Sequence, residues 1–391
     1  MRRRGTSAEG AGCVYDDRLR KRRKGIQMAE SMIGESTLTR RDLFKFAGAA
    51  TAVAAGAAMF GCTGEASAAP AKDTSLAEDG DTGYTLEEAV SENVISVGDS
   101  TKTVTLVEGI PYKSVLAASS VTNLMLDLLI PTCGEDEKLP LVVFIPGGGF
   151  TGSNPQGSIT QRMAMAQAGY VVASVQHRVV PTVTFPGPLE DVKAAVRWLR
   201  AHADMYHIDK NKVAAMGNSS GGYFATMLGV TGANTEFDTG DNTSESSAVS
   251  AVIDLYGVSD LTIIGEDLDN GLEEGHDSPA TTEAMLVNGT AFGGNLGSSV
   301  LDTPETASEA SPFTYIDGSD PAFLIFHGDQ DTLVSPVASY ALHKRLQEAG
   351  VESTRYVVSG AAHGGPMFDQ PEVVDTIIEF LDTHLKATDQ Q

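Results

Sequence analysis

The chain has 391 residues, with 52 Asp and Glu against 27 Lys and Arg and a formal net charge of −25. A surface of this charge disfavours nucleic acid, phosphorylated substrates and anionic membranes as partners, whereas neutral small molecules are unaffected. The length suffices for one large hydrophobic core in addition to N-terminal segments of a different composition.

Residues 1–61 are predicted to be an export signal that is not part of the fold. The segment Thr39-Arg40-Arg41-Asp42-Leu43-Phe44-Lys45 is typical of a twin-arginine signal, and the basic residues before Met28 indicate an extended leader or a later start. The apolar run 46–61 is shorter than the ~20 residues that a membrane-spanning helix needs, which favours cleavage.

Cys62 follows Met59-Phe60-Gly61, a sequence similar to the lipobox of bacterial lipoproteins, and is the predicted lipidation site. The expected location is therefore extracytoplasmic, either anchored through that lipid or secreted. Residues 62–100 are rich in Ala, Gly, Ser and acidic residues and are predicted to form a flexible tether. With Cys13 in the signal and Cys62 acylated, only Cys133 remains, so no intrachain disulfide is expected.

The catalytic domain is predicted to occupy residues 101–391, and its first informative segment is a buried strand followed by glycines. Residues 141–145 are continuously apolar, as in a parallel strand buried on both faces, and Pro146-Gly147-Gly148-Gly149 follows. The amides of Gly148 and Gly149 are candidate donors to an oxyanion, together with the amide of Ser220. A phosphate-binding loop is excluded because the Gly-Lys-Ser/Thr ending is absent.

The stretch Gly217-Asn218-Ser219-Ser220-Gly221 matches the Gly-x-Ser-x-Gly pattern of a nucleophile elbow. It lies between a predicted strand, 212–216, and a predicted helix, 222–228. Glycines at both ends permit the close backbone approach and positive φ that hold such a serine on a strained turn. The pattern is weak alone, because an activated serine also needs a base, an orienting carboxylate and oxyanion donors.

Two later strands end in loops that carry the remaining candidates. The strand 321–326 leads to His327, Asp329 and Asp331, and the strand 353–358 leads to a glycine-flanked loop with His363. Asp331 is the preferred carboxylate, and Asp329 is the competing one. The chain order of serine, aspartate and histidine is that of the α/β-hydrolases.

The segment between Leu261 and Tyr315 is predicted to be an insertion after the strand 251–255. Its acidic residues lack the spacing of a calcium-binding loop, so a solvated loop is the expectation and no metal or cofactor is predicted. The helix predicted before the elbow, within 188–200, and the helix predicted from 371 to 384 each present one apolar face. Both are scaffolding, and Asp254 is a predicted hydrogen-bonded residue at a strand end.

Together these segments resemble the α/β-hydrolase superfamily, and specifically carboxylesterases of the BD-FAE and hormone-sensitive-lipase-like type, over residues 105–385. The most specific similarity lies in Ala173-Ser174-Val175-Gln176-His177-Arg178 and in the helix before the elbow. Pro146 stands where these proteins usually have histidine, and His177 where they usually have tyrosine. The resemblance implies a mostly parallel sheet with helices on both faces. It also implies a structural role for His327, which precedes the acid loop, whereas His177 is predicted to be a core or rim histidine near the cleft.

The resemblance implies Ser219 as nucleophile, His363 as base, Asp331 as orienting acid, and Gly148, Gly149 and Ser220 as oxyanion donors. The expected activity is hydrolysis of short-chain or phenolic carboxylic esters, including acetyl or feruloyl esters of plant polysaccharides, through an acyl-enzyme. A lipase or peptidase of the same fold, or a non-catalytic binding protein, remains the alternative.

Overall fold

This computed structural model describes residues 86–91, 94, 102–117, 120–291 and 297–386. The chain divides into two compact units, residues 1–94 and 95–391. The predicted export signal and Cys62 lie outside the described residues. No helix in the described parts of the chain combines the length and apolarity needed to cross a bilayer.

The described part of the first unit contains one short helix, α1, from Leu86 to Ser91. This helix lies within residues 62–100, which the sequence predicts to form a flexible tether. The helix begins with Leu-Glu-Glu-Ala, and all of these residues have high helix propensity.

The second unit is built on one mixed sheet. Its strands within the described residues are β1 Val104–Ala117, β2 Ser120–Pro131, β3 Leu139–Ile145, β4 Val171–Val175, β5 Ile208–Asn218, β6 Ala251–Leu255, β7 Ala322–Gly328 and β8 Ser353–Val358. The strand order is β1-β2-β4-β3-β5-β6-β7-β8. Strand β2 is antiparallel to β1 and β4, and the other neighbours are parallel.

Helices connect the parallel strands and fill the insertion between β6 and β7. They are α2 Ile159–Gln167, α3 Gly187–Ala201, α4 Ser220–Val230, α5 Asn270–His276, α6 Thr282–Asn288, α7 Pro304–Glu309, α8 Pro336–Glu348 and α9 Pro371–Leu381. The helix predicted to reach residue 384 ends as an α-helix at Leu381, and a π-helical turn continues over Asp382–Lys386.

The sheet separates two hydrophobic cores. Side chains of β3 alternate between them, since Val143 packs with α3 and α4 while Val142 and Phe144 pack with α2 and α9. Strands β3, β4 and β6 are buried along their whole length, as expected for strands covered on both faces. Helices therefore cover both faces, and the predicted α/β-hydrolase architecture is confirmed.

This arrangement fixes where functional side chains meet. Because β3, β5, β6, β7 and β8 are parallel, their carboxyl ends lie at one edge of the sheet, where open α/β folds bind ligands. The glycine loop, the elbow and the two loops with Asp331 and His363 all follow these strands. Segments that are far apart in sequence thus converge at one edge.

Candidate active site

Ser219 occupies the turn between β5, which ends at Asn218, and α4, which begins at Ser220. Its φ is 54° and its ψ is −127°, a conformation that non-glycine residues rarely adopt. A Cβ on Gly217 would collide with the carbonyl of Gly221, and a Cβ on Gly221 would collide with that of Ile145. The predicted strained elbow and its need for both glycines are confirmed.

The hydroxyl of Ser219 lies beside the imidazole of His363, with 2.8 Å between Oγ and Nε2. The other ring nitrogen, Nδ1, lies 2.7 Å from Oδ2 of Asp331. A carboxylate only accepts, so Nδ1 carries a proton and Nε2 of the neutral ring accepts from the Ser219 hydroxyl. This is the geometry in which a histidine can remove a serine proton.

Asp331 and Asp329 have different surroundings, which decides between the two candidates. Asp331 is 3% exposed, and its Oδ1 accepts the backbone N–H groups of Leu333 and Val334. Burial raises its pKa, but hydrogen bonds from His327 and His363 outweigh burial and hold the pKa well below its ordinary value. The Asp331 carboxylate is therefore ionised and points at the imidazole.

Asp329 is exposed and faces away from the imidazole nitrogens. Its Oδ1 accepts the backbone N–H of Gly360 at 2.7 Å, and its Oδ2 accepts from the Ser359 hydroxyl at 3.1 Å. Asp329 thus ties the loop after β7 to the loop that carries His363.

His327 is fully buried in β7 and forms a hydrogen bond with the carboxylate of Asp331. Its Nε2 lies 3.1 Å from Oδ2 of Asp331 and 3.0 Å from the carbonyl oxygen of Val334. Among the described residues, no hydrogen-bond partner reaches its Nδ1. The neutral ring with its proton on Nε2 fits these two acceptors, in agreement with the structural role that the resemblance implies.

The glycine loop after β3 lies against the elbow, and it differs from expectation at one donor. The N–H of Gly148 donates to Oγ of Ser220 at 3.0 Å, so this amide already has an acceptor within the protein. The N–H groups of Gly149 and Ser220 meet no acceptor among the described residues. These two amides are the donors that remain available to a ligand oxygen.

The sequence reasoning missed Asn218 and Tyr256 as candidate site residues. Asn218 was the variable position of the motif, and Tyr256 merely follows β6. In the structure the Tyr256 ring packs edge-on against the imidazole of His363, with 5.0 Å between centroids. Tyr256 also has a φ of 42°, which for a bulky residue is a genuine outlier and a signal that only coordinates provide.

Two other polar residues singled out in the sequence are buried outside the triad. His177 is 3% exposed, packs against Phe224, and its Nδ1 lies 2.9 Å from the Arg178 carbonyl. Burial lowers its pKa, as expected for a neutral core histidine. Asp254 lies near the end of β6, where burial raises its pKa to about 7. Neither of its carboxyl oxygens meets a hydrogen-bond partner among the described residues, so the prediction of a hydrogen-bonded residue at this strand end is wrong.

The acidic insertion surrounds a cavity of about 310 Å³ that is lined by Glu266, Asp267, Glu273 and Asp277 among others. His276 at this cavity pairs with Glu283, at 2.6 Å, and with the carbonyl of Leu333. Within the described ranges, no group of three or more His, Cys, Asp or Glu side chains is placed to hold a metal ion.

A mostly parallel sheet with helices on both faces, and a Ser–His–Asp chain at the carboxyl ends of its strands, defines the class of α/β-hydrolases. The model of the BD-FAE family matches residues 126–346, more than half of the chain. The chain belongs to the BD-FAE family.

The chain is also similar to known esterases, both in sequence and in structure. The esterase LipC of Mycobacterium tuberculosis is 27% identical over 232 residues, covering 59% of this chain and 54% of LipC. A solved structure of a truncated carbohydrate esterase from gut microbiota is 25% identical with a TM-score of 0.61, covering 74% of this chain and 99% of its own. A bifunctional GH43-CE protein of Bacteroides eggerthii is 26% identical with a TM-score of 0.59, over 71% and 38% of the two chains. The chain spans about half the length of the curated relatives it matches.

Proposed function

We propose that this chain is a serine carboxylesterase that hydrolyses short-chain or phenolic esters through an acyl-enzyme. The observation that carries the proposal is the continuous chain of hydrogen bonds from Ser219 through His363 to Asp331, with separations of 2.8 and 2.7 Å. This series of hydrogen bonds ends on a strained elbow beside the N–H groups of Gly149 and Ser220, which meet no acceptor among the described residues. Nucleophilic acyl transfer requires this combination of an activated serine and oxyanion donors.

In the proposed mechanism, Oγ of Ser219 attacks the ester carbonyl carbon while Nε2 of His363 takes the hydroxyl proton. The carbonyl electron pair moves onto oxygen, and the N–H groups of Gly149 and Ser220 bind that oxyanion. When the intermediate collapses, the alcohol leaves with the proton from His363. Water then attacks the acyl-enzyme with His363 as base, and the acid is released as Ser219 regains its proton.

Asp331 contributes by fixing the tautomer of His363 and by stabilising the imidazolium that forms in each step. Its ionised state follows from its surroundings, because two imidazoles and two backbone amides donate to its oxygens. An oxyanion donor typically contributes about 3–4 kcal/mol to lowering the barrier. The N–H groups of Gly149 and Ser220 thus account for a large part of the expected catalysis.

The proposed substrates are acetyl or feruloyl esters of plant polysaccharides. Relatives support this choice, since a carbohydrate esterase and a GH43-CE protein share the fold at 25% and 26% identity. Endo-1,4-beta-xylanase B of Butyrivibrio fibrisolvens is also 25% identical over 234 residues, a third of its length. The acidic chain suits these substrates because they are neutral esters on a neutral or weakly charged polymer.

We also propose that the protein is exported and held at a membrane by acylation of Cys62. The twin-arginine segment at 39–45 and the apolar run that ends at Cys62 support this. Mass spectrometry of the mature wild-type protein should find lipid on an N-terminal Cys62. The Cys62→Ser variant should carry no lipid. A mature protein that begins elsewhere would contradict the assignment.

The function is tested by hydrolysis of p-nitrophenyl acetate, butyrate, octanoate and palmitate, followed by acetate or ferulate release from acetylated xylan and feruloylated arabinoxylan. Activity should be highest with the shortest chains and absent in Ser219→Ala. Ser174→Ala, which changes a buried serine in β4, is the matched control and should retain activity. Turnover by Ser219→Ala would refute the nucleophile, and a maximum at palmitate would indicate a lipase.

A further inference from the structure

The two residues on either side of Ser219 hold successive amides of the glycine loop with their side chains. Oδ1 of Asn218 accepts the N–H of Gly147 at 2.9 Å, and Oγ of Ser220 accepts the N–H of Gly148 at 3.0 Å. Asn218 is half-buried and Ser220 is 1% exposed. Both bonds therefore lie between the elbow and the loop and are partly buried.

These bonds fix the loop relative to the nucleophile. Pro146, the first residue of the loop, has no N–H and no polar side chain, so it donates no hydrogen bond to the elbow. The next two amides are held by the elbow, and the loop then turns sharply, with the N–H groups of Thr151 and Gly152 both donating to the Gly148 carbonyl at 3.0 Å. The Gly149 N–H shares a peptide plane with the Gly148 carbonyl, so this turn sets the direction of the amide, and the two bonds before it set where the turn lies relative to Ser219.

Asn218 makes a second bond that reaches the other half of the site. Its Nδ2 donates to the hydroxyl oxygen of Tyr256 at 3.2 Å, and the Tyr256 ring packs edge-on against His363. Tyr256 is held from its other side by Phe368, with 4.5 Å between ring centroids. One carboxamide thus connects the oxyanion loop with the ring that contacts the catalytic base.

We propose that Asn218 and Ser220 are positioning residues, which hold the Gly149 amide in register with Ser219 and, through Tyr256, with His363. The inference rests on the proposed esterase function and gives the side chains of Asn218 and Ser220 a role that is separate from the oxyanion contact of the Ser220 N–H. If this role is correct, substitutions at the two positions that flank the nucleophile should weaken oxyanion stabilisation and leave substrate binding largely unchanged.

The decisive variant is Asn218→Leu, which keeps the approximate shape of the side chain and loses both hydrogen bonds. A misplacement of about 1 Å costs on the order of 10²-fold in rate, so kcat should fall about 100-fold while KM changes less than about 3-fold. Inhibition by phenylboronic acid should weaken by a similar factor, because its adduct with Ser219 places an oxygen in the oxyanion site.

Two further variants and one control separate positioning from general damage. Asn218→Asp keeps an acceptor for the Gly147 N–H and should recover at least about tenfold of the lost kcat, since one of the two bonds survives. Ser220→Ala should lower kcat about tenfold by releasing Gly148. Asn234→Leu removes an asparagine whose Oδ1 accepts from the Glu236 N–H beyond the far end of α4, and should leave kcat unchanged.

The results that would refute the positioning role differ from those that would refute the esterase function. A full-length wild-type protein without turnover, or a Ser219→Ala variant with it, refutes the esterase. An active wild type with Asn218→Leu at kcat and boronate affinity within about 3-fold refutes the positioning role alone. If Asn218→Leu does not fold, a folded Ser220→Ala with unchanged or raised kcat overturns the proposal, and one with lowered kcat and boronate affinity supports it.

Discussion

Replacing Asp331 by Asn removes the charge that orients His363 and leaves the size of the side chain unchanged. Oδ2 of Asp331 accepts from Nδ1 of His363 at 2.7 Å and from Nε2 of His327 at 3.1 Å. An Asn that kept the Oδ1 contacts with Leu333 and Val334 would present its NH₂ group to both imidazoles. A donor facing Nδ1 forces the proton of His363 onto Nε2, where it can no longer accept from Ser219.

We expect kcat to fall about 10⁴-fold, which corresponds to about 5 kcal/mol in the activation barrier. A loss of this size is typical when the histidine of a Ser-His-Asp triad is held in the wrong tautomer. Asp329→Asn is the matched control, two residues away on the same loop. Its Oδ1 can still accept from Gly360, so kcat should stay within about 10-fold.

The assay is steady-state hydrolysis of p-nitrophenyl acetate by both variants, with thermal unfolding as a check on folding. If Asp329→Asn lost more kcat than Asp331→Asn while both remained folded, the reasoning would be wrong. Equal losses would likewise contradict it, because only one of the two carboxylates touches the imidazole.

The remaining predictions concern stability. Asp254 is fully buried, which raises its pKa to about 7. Between about pH 4 and pH 7 the folded state therefore keeps a proton that the unfolded chain has lost, so the contribution of Asp254 to stability falls as the pH rises through this range. Asp254→Asn should therefore gain stability relative to wild type across that window, up to about 4 kcal/mol, in urea titrations, and a constant difference would contradict this. Gly221→Ala places a methyl group against the Ile145 carbonyl and should destabilise by about 3 kcal/mol or more, whereas Gly275→Ala in α5, which meets no atom, should be neutral or stabilising in thermal melts. His327→Phe keeps a ring but leaves the Val334 carbonyl without its donor, so calorimetry should show a loss of about 1–3 kcal/mol, and wild-type stability would exclude the bonding described.

Much of the fold could be predicted from short, continuous apolar runs, because such runs are typical of strands that are buried on both faces of a parallel sheet. The predicted strand at 251–255 coincides with β6, which is buried along its whole length. The strand predicted at 353–358 coincides with β8, although this strand is only partly buried and lies at the sheet edge. The elbow at Ser219 lies between a strand and a helix as predicted. The carboxylate was also predictable as a choice between two residues. Local sequence could not decide it, because side-chain direction in a loop depends on contacts with another loop.

Other features required coordinates. The sequence could not show that the Ser220 hydroxyl would take up the Gly148 amide, since the hydroxyl and the amide lie 72 residues apart along the chain. Nor could it show the positive φ of Tyr256 or its contact with His363, which arise where β6 ends beside a distant loop. Motifs predict which groups are present, and the packing of loops decides which of their atoms remain available.

The central claim is that Ser219 is a nucleophile activated by His363. The most direct measurement is labelling of the native protein with a fluorophosphonate probe and peptide mass spectrometry to locate the adduct. The account predicts one adduct on Ser219, which should be absent in Ser219→Ala and in protein denatured before labelling, and which should form much more slowly in His363→Ala. An unlabelled native protein, or an adduct on another residue that persists in Ser219→Ala, would contradict it.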